Sequence, residues 1–415
     1  GGGRIMEQKN LVPKRRFKEF QNAHAWEQRK LRRIAEFNPK AELPETFKYV
    51  DLESVVGTEM IAYREERKAT APSRAQRLAR QGDLFYQTVR PYQKNNYLFE
   101  KPCNNYVFST GYAQLRPYGD GYFLLSLVQT EQFVKMVLDR CTGTSYPAIN
   151  SNDLAEMEVS VPLKGDEQIQ IGKFFKNLDH LITLHQRKLE KTKALKSAYL
   201  SEMFPAEGER VPKRRFAGFT QPWEQRELGK VVDLVKSYSL SRDVETDEDS
   251  GFRYVHYGDI HKKVADLIES DEQLPMIKAG DYELLQKGDV IVADASEDYT
   301  GIAEPAVLLN KPSAKVVAGL HTIAMRPKEI TPLFLYYLLH TDNFKSFGTR
   351  VGTGMKVYGI TTNNLFKYPA ALPVKEEQEE IGKFFYELDN LITLHQRKLE
   401  KLQNLKKAYL NEMFV

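Results

Sequence analysis

The chain repeats itself. The eleven residues LITLHQRKLEK run from Leu181 to Lys191 and again, unchanged, from Leu391 to Lys401. In a wider window, Ile171–Lys191 and Ile381–Lys401 agree at 18 of 21 positions at an offset of 210, and both copies close on Ala-Tyr-Leu-x-Glu-Met-Phe. A second match lies upstream of each copy: Val12-Pro-Lys-Arg-Arg-Phe with Trp26-Glu-Gln-Arg recurs as Val211-Pro-Lys-Arg-Arg-Phe with Trp223-Glu-Gln-Arg. The order is A-B-A′-B′, and a duplication of this kind implies two related halves on two related supports.

The B parts read as long helices. Ile171, Phe175, Leu178, Ile182, His185 and Leu189 step by fours and threes, as do Ile381, Phe385, Leu388, Ile392, His395 and Leu399, which is the spacing of a coiled-coil seam. Leu181 and Leu391 are grouped with this seam as partner-docking residues. Pro205 stops the first helix. About 36 residues at 1.5 Å each give a rod of roughly 50 Å. Two such rods packed antiparallel about a pseudo-twofold axis would hold two readers at least one DNA turn apart, roughly 34 to 36 Å. His185 and His395 would meet near the midpoint, either as a metal or pH-switch site or as a packed, hydrogen-bonded pair. The packed pair is the expected reading and no metal is assigned, because no Cys, Asp or Glu accompanies them at zinc-ligand spacing.

The A parts diverge. Gly82-Asp83 answers Gly288-Asp289 and Arg116-Pro117 answers Arg326-Pro327, but little is shared between these anchors. Short β-rich runs (Leu84 to Val89, Val290 to Ala293, Val316 to Ala318) alternate with apolar helical stretches (Leu124 to Leu138, Leu333 to Phe347). The fold class is therefore α+β: two globular domains joined by two long antiparallel coiled-coil helices with a pseudo-twofold internal repeat. The expected segments are 1–165, with 1–5 read as an expression remnant, then helix 166–205, domain 206–376 and helix 377–415.

Composition excludes more than it identifies. With 41% hydrophobic and 28% charged residues, 25 Gly and 19 Pro, the chain is neither disordered nor fibrous. Apolar runs such as Tyr122 to Val128 fall far short of the roughly 20 residues that span a bilayer. The start lacks the pattern of a signal peptide, and two cysteines, Cys103 and Cys141, make no disulfide framework, so a reducing cytoplasm is expected. The net charge is only +4. Its distribution is more informative: Arg4 to Glu36 carries ten Lys/Arg against four Asp/Glu, and Arg64 to Lys101 nine against four. Local basic stretches can follow a nucleic-acid backbone, or form a solvated charged face.

Catalytic patterns are missing. Gly165 to Phe174 has the wrong spacing for a phosphate loop, with Phe174 where Ser or Thr would hold magnesium. No Asn/Asp-Pro-Pro-aromatic tetrapeptide, GxSxG elbow, HExxH or paired-Cys motif occurs. Asp243 to Asp249 carries five acids in a setting that reads as a solvated linker. A binding protein fits better than an enzyme.

Two divergent halves, each followed by Pro162-Leu-Lys-Gly-Asp-Glu-Gln168 or Pro373-Val-Lys-Glu-Glu-Gln378 and then Ile-Gly-Lys-Phe-Phe-x-x-Leu-Asp-x-Leu-Ile, resemble the specificity (S) subunit of type I restriction-modification systems. The likeness covers essentially residues 11–415, with a spacer one residue longer in the first copy. It implies two target recognition domains, each reading half of a bipartite duplex DNA site, and helices that set spacing and dock two methyltransferase (M) subunits. Two restriction (R) subunits complete the full complex. The resemblance also implies no catalytic residue and no cofactor on this chain. S-adenosylmethionine, ATP and magnesium belong to the partners, and the assembled complex would be an adenine-N6 methyltransferase and ATP-dependent endonuclease.

Base edges are read by side chains with paired donors and acceptors, and register by cations on phosphates. The candidates in the first half are Gln87, Thr88, Arg90, Tyr92, Lys94 and Asn95, with Thr144 and Ser145 before the helix. The acidic counterpart in the second half offers Ser296, Tyr299 and Thr300, with Arg350, Thr353 and Lys356. Lys14, Arg15, Arg16 and Lys213, Arg214, Arg215, repeated across divergent domains, suit phosphate contact or a structural role. Trp26 and Trp223 are expected as packing anchors. The competing readings are a related system with both activities fused in another chain, a stand-alone DNA-modifying enzyme with an unrecognised site, and a coiled-coil scaffold that binds only proteins.

Overall fold

A computed structural model describes residues 11–143, 145–298, 301–354 and 357–415. The chain divides into two compact units: Gly1–Gln186 with Arg397–Val415, and Arg187–Gln396. Both divisions fall inside the repeated LITLHQRKLEK. Each unit thus holds one mixed α/β domain and a length of each of two 39-residue helices, Gly165–Met203 and Lys375–Met413. Both helices open on acidic residues, Asp166 and Glu167 or Glu376 and Glu377, which suit the positive end of the helix dipole. The first ends two residues before Pro205.

Within each unit the two helix segments run antiparallel. In the N-terminal unit the ring centroids of Phe174 and Tyr409 are 5.0 Å apart and Lys406 Nζ lies 2.5 Å from Asp179 Oδ1. In the C-terminal unit Tyr199 meets Phe384 at 5.2 Å and Lys196 Nζ lies 2.6 Å from Asp389 Oδ1. Leu178 and Leu189 are buried, and Ile182, His185, Leu388, Ile392, His395 and Leu399 are half-buried. Leu181 and Leu391 do not belong to this seam. They are 43% and 45% exposed, because each precedes a seam isoleucine by one residue and so points about 100° away around the helix. Leu184 and Leu394 are exposed beside them.

The N-terminal domain carries two four-stranded sheets. One orders Arg64–Arg67, Thr46–Val50, Tyr106–Ser109 and Ala75–Leu78, and the other Ala35–Phe37, Tyr112–Pro117, Leu84–Gln87 and Tyr97–Leu98. The C-terminal domain carries a five-stranded sheet ordered Val232–Val235, Thr322–Pro327, Val290–Ala293, Pro305–Leu308 and Leu267–Ile268. The shared anchors explain why the centres of these sheets agree. Buried Asp83 takes Arg116 Nε at 2.8 Å and Nη2 at 2.9 Å, and buried Asp289 takes Arg326 Nε at 2.9 Å and Nη2 at 2.8 Å. A bidentate pair of this kind fixes both distance and orientation between two strands.

Each apolar helical stretch is broken in two. Gly121–Val128 and Glu131–Leu138 are separated by Thr130, whose hydroxyl accepts from Phe133 N at 3.2 Å. Pro332–Leu338 and Asp342–Val351 are separated by Thr341, which caps Phe344 N at 3.3 Å. A threonine that caps the next turn competes with continuing the previous one. Among the described residues no helix is long and apolar enough to cross a membrane.

Candidate nucleic-acid interface

The repeated entrance motif builds a latch in each unit. Arg16 Nε and Nη2 donate to the two carboxylate oxygens of Glu167 at 2.6 and 2.7 Å, and Arg215 does the same to Glu377 at 2.6 and 2.7 Å. Both pairs are almost closed to solvent, at 6% and 2% exposure in the first and 12% and 0% in the second. Arg15 pairs with Glu412 at 2.5 Å and lies over the Tyr409 ring, and Arg214 pairs with Glu202 at 2.7 Å over Tyr199. Arg16 and Arg215 thus hold the framework, each with its guanidinium fork spent on a buried carboxylate. Lys14 and Lys213 remain exposed at the surface. Trp26 and Trp223 are each buried in the core of their own unit, and Trp26 Nε1 donates to Glu167 Oε1 at 3.2 Å.

At the far end of strand Leu84–Gln87 the sequence candidates of the first half come together. Val89 bridges to Ala148, Arg90 N donates to Pro147 O at 2.8 Å and Ile149 N donates to Thr88 O at 3.0 Å. Residues 88–90 thus pack on 147–149. Most of the polar candidates are spent holding that shape. Gln87, buried, donates to Val89 O at 2.6 Å and Gln93 Oε1 at 2.9 Å. Thr88 Oγ1 donates to Gly111 O at 2.8 Å, Asn95 Oδ1 accepts from Gly57 N at 2.8 Å, and Lys94 Nζ reaches Glu131 at 2.8 Å. What projects is a smaller group: Arg90, whose guanidinium lies 4.4 Å above the Tyr146 ring, exposed Tyr146 and Tyr92, and exposed Ser145. Arg90 and Lys94 both have left-handed backbones, at φ 54° and 56°, and so turn the loop sharply at either end of Pro91–Gln93.

The second half repeats the arrangement with other residues. Ala295 and Ser296 pair with Gly359 and Tyr358, Thr353 bridges to Gly359, and Ile360 N donates to Asp294 O at 2.8 Å. Ser296 is buried, Thr353 is exposed, and Arg350 pairs with Glu207 at 2.6 Å on an exposed edge. Thr144, Tyr299, Thr300 and Lys356 lie outside the described residues. His321 was not among the sequence candidates. Its Nδ1 is 3.1 Å from Asp294 Oδ1, and burial pushes the Asp294 carboxyl up although His321 pulls it back. Twenty-seven residues separate the two, and the only sequence signal was that His321 precedes the strand ending in the anchor Arg326-Pro327.

The sequence profile described as the type I restriction modification DNA specificity domain matches residues 68–194 and 220–404, one stretch in each half. The chain belongs to this specificity family. Among its relatives, the type I restriction enzyme MjaVIII specificity subunit of Methanocaldococcus jannaschii is 24% identical over 304 residues, covering 70% of this chain and 68% of that protein. The HindI specificity subunit of Haemophilus influenzae is 27% identical over 104 residues, 23% of this chain and 22% of its own. Among solved structures, the type I restriction-modification S subunit from M. genitalium superposes with a TM-score of 0.61 at 13% identity, covering 98% of this chain and 99% of that one. A chain from a structure described as the basis of complex assembly and conformational transition of the type I R-M system gives 0.50 at 22% identity, covering 94% and 97%. These structural likenesses show a shared fold. In family terms the two profile matches correspond to two recognition domains, and the latches are built by this chain's own repeated motifs.

Proposed function

We propose that this specificity-family chain is the non-catalytic DNA reader of a type I restriction-modification complex. Each unit reads one half of a bipartite duplex site through its projecting tip, while the helices set the gap and dock two methyltransferase subunits by their exposed leucine faces, Leu181 with Leu184 and Leu391 with Leu394. S-adenosylmethionine, ATP and magnesium are assigned to the partner subunits, with two restriction subunits in the full complex. One observation carries this reading: the two halves share the same buried Arg–Glu and Asp–Arg pairs, each carries a two-segment tip, and the tips differ in what they present. Shared framework pairs with different tips are what two readers of different sequence require.

Co-expression with the cognate methyltransferase subunit, followed by single-molecule mapping of methylated adenines, tests it. The expected result is two short defined blocks around a fixed unspecified gap. Methylation at one continuous motif, or methylation that persists without this chain, would contradict it.

A further inference from the structure

Among the described residues, the position of the C-terminal tip that answers Arg90 carries no cation. Counted from the shared Gly-Asp anchors, Ser296 stands where Arg90 stands in the first half, and it is buried. The equivalent of the Thr88–Gly111 contact has changed as well. Thr88 N donates to Gly111 O at 3.0 Å, and at the same junction Asp294 N donates to His321 O at 3.0 Å. A threonine and a glycine in one half are an aspartate and a histidine in the other. The histidine side chain is 50% exposed.

His321 is held with care. Its backbone is left-handed at φ 54°, a region that non-glycine residues enter rarely and at a cost. The Tyr257 ring packs edge-on against the imidazole at 5.3 Å, and Tyr257 in turn meets His261, whose Nε2 lies 2.8 Å from Ala295 O. A carboxylate can only accept, so with Asp294 ionised and the imidazole neutral the bond places the proton on Nδ1 and leaves Nε2 as the acceptor of a half-exposed ring. A fixed tautomer on a fixed ring is a directional probe.

We propose that the Asp294–His321 pair, braced by Tyr257, is a base-reading element of the C-terminal half, with His321 Nε2 accepting from an exocyclic amino group, adenine N6 or cytosine N4, in the major groove of duplex DNA. These amino groups are the donors that the major groove presents. The assignment rests on the DNA-reading function above and adds His321, which Asp294 orients, as the group that performs it in the C-terminal half.

The test is to compare methylated motifs for complexes carrying the wild-type chain, the double variant Asp294→Thr with His321→Gly, which installs the residues of the other half, and His321→Asn, which tolerates the left-handed backbone. In the double variant, discrimination at one position of one block should fall by about tenfold, as for one lost base contact, with the other block and the gap unchanged. His321→Asn should alter preference at that same position. Wild-type motifs in both variants overturn the proposal. So does a uniform loss of methylation at every site with a lowered melting temperature, which would make the pair structural. If the wild-type complex itself shows no split motif, the DNA-reading function has failed before the variants are compared.

Discussion

The two units solve one structural problem identically and one chemical problem differently. At the latch, Arg16–Glu167 and Arg215–Glu377 agree in atoms and in both distances. At the sheet, Asp83–Arg116 and Asp289–Arg326 agree in atoms, with one bond of 2.8 Å and one of 2.9 Å in each. At the tip, Arg90 over Tyr146 in one unit is answered by Asp294 with His321 in the other. Residues that hold tolerate no change of partner, because a buried charge left alone is costly, whereas residues that project can change at little cost to folding. Duplication followed by divergence therefore preserves the first set and releases the second.

The largest effect should come from breaking a latch. Glu167→Ala or Glu377→Ala strands a buried guanidinium and should cost about 3–5 kcal/mol of unfolding free energy, measured by chemical denaturation. Glu167→Ala should cost about 1 kcal/mol more, because Trp26 Nε1 also loses its acceptor, while the equally buried Trp223 Nε1 has none to lose. Equal costs would break the comparison at this point.

Acid should act on the C-terminal unit through Glu304. Burial disfavours its charge, but His340 Nε2 at 3.5 Å and Lys263 Nζ at 2.5 Å outweigh burial and hold the carboxyl well below the usual carboxylate range. A carboxyl whose folded pKa is depressed contributes stability above its unfolded value, about 4.3, and loses that contribution as pH falls further. Hydrogen exchange resolved by unit should show the C-terminal domain loosening as pH drops below about 4.5. Glu304→Gln should destabilise that domain at neutral pH and flatten its acid response. An unchanged acid response in Glu304→Gln would remove Glu304 as its source.

Smaller still is the expected effect of Leu181→Asp or Leu391→Asp on folding, within about 0.5 kcal/mol, since both leucines are exposed. Association with the methyltransferase subunit should nevertheless weaken in titrations of the purified complex. A large loss of stability with undiminished association would return these residues to the seam.

The sequence made the periodic and repeated features readable. The seam spacing, the stop at Pro205 and the duplicated entrance all follow from local pattern. Long-range partners were not readable. Arginine suits a phosphate and a buried carboxylate equally well, and Glu167 lies 151 residues from Arg16, so the latch looked as much like a DNA contact as a framework. Gln87, Thr88 and Asn95 have the chemistry of base readers, yet the backbone groups they satisfy come from their own turn or from distant segments such as Gly57 and Gly111. The apolar run Leu124 to Leu138 concealed a break because Thr130 caps as readily as it continues a helix.

The central claim is that each tip reads its own block independently of the shared framework. It is tested most directly by mapping methylated adenines with the reconstituted complex of the Arg90→Ala chain beside the wild type. The account predicts relaxed preference in one block of the motif, an unchanged second block and gap, and a melting temperature close to that of the wild type. Changes in both blocks, or in the gap, would contradict it.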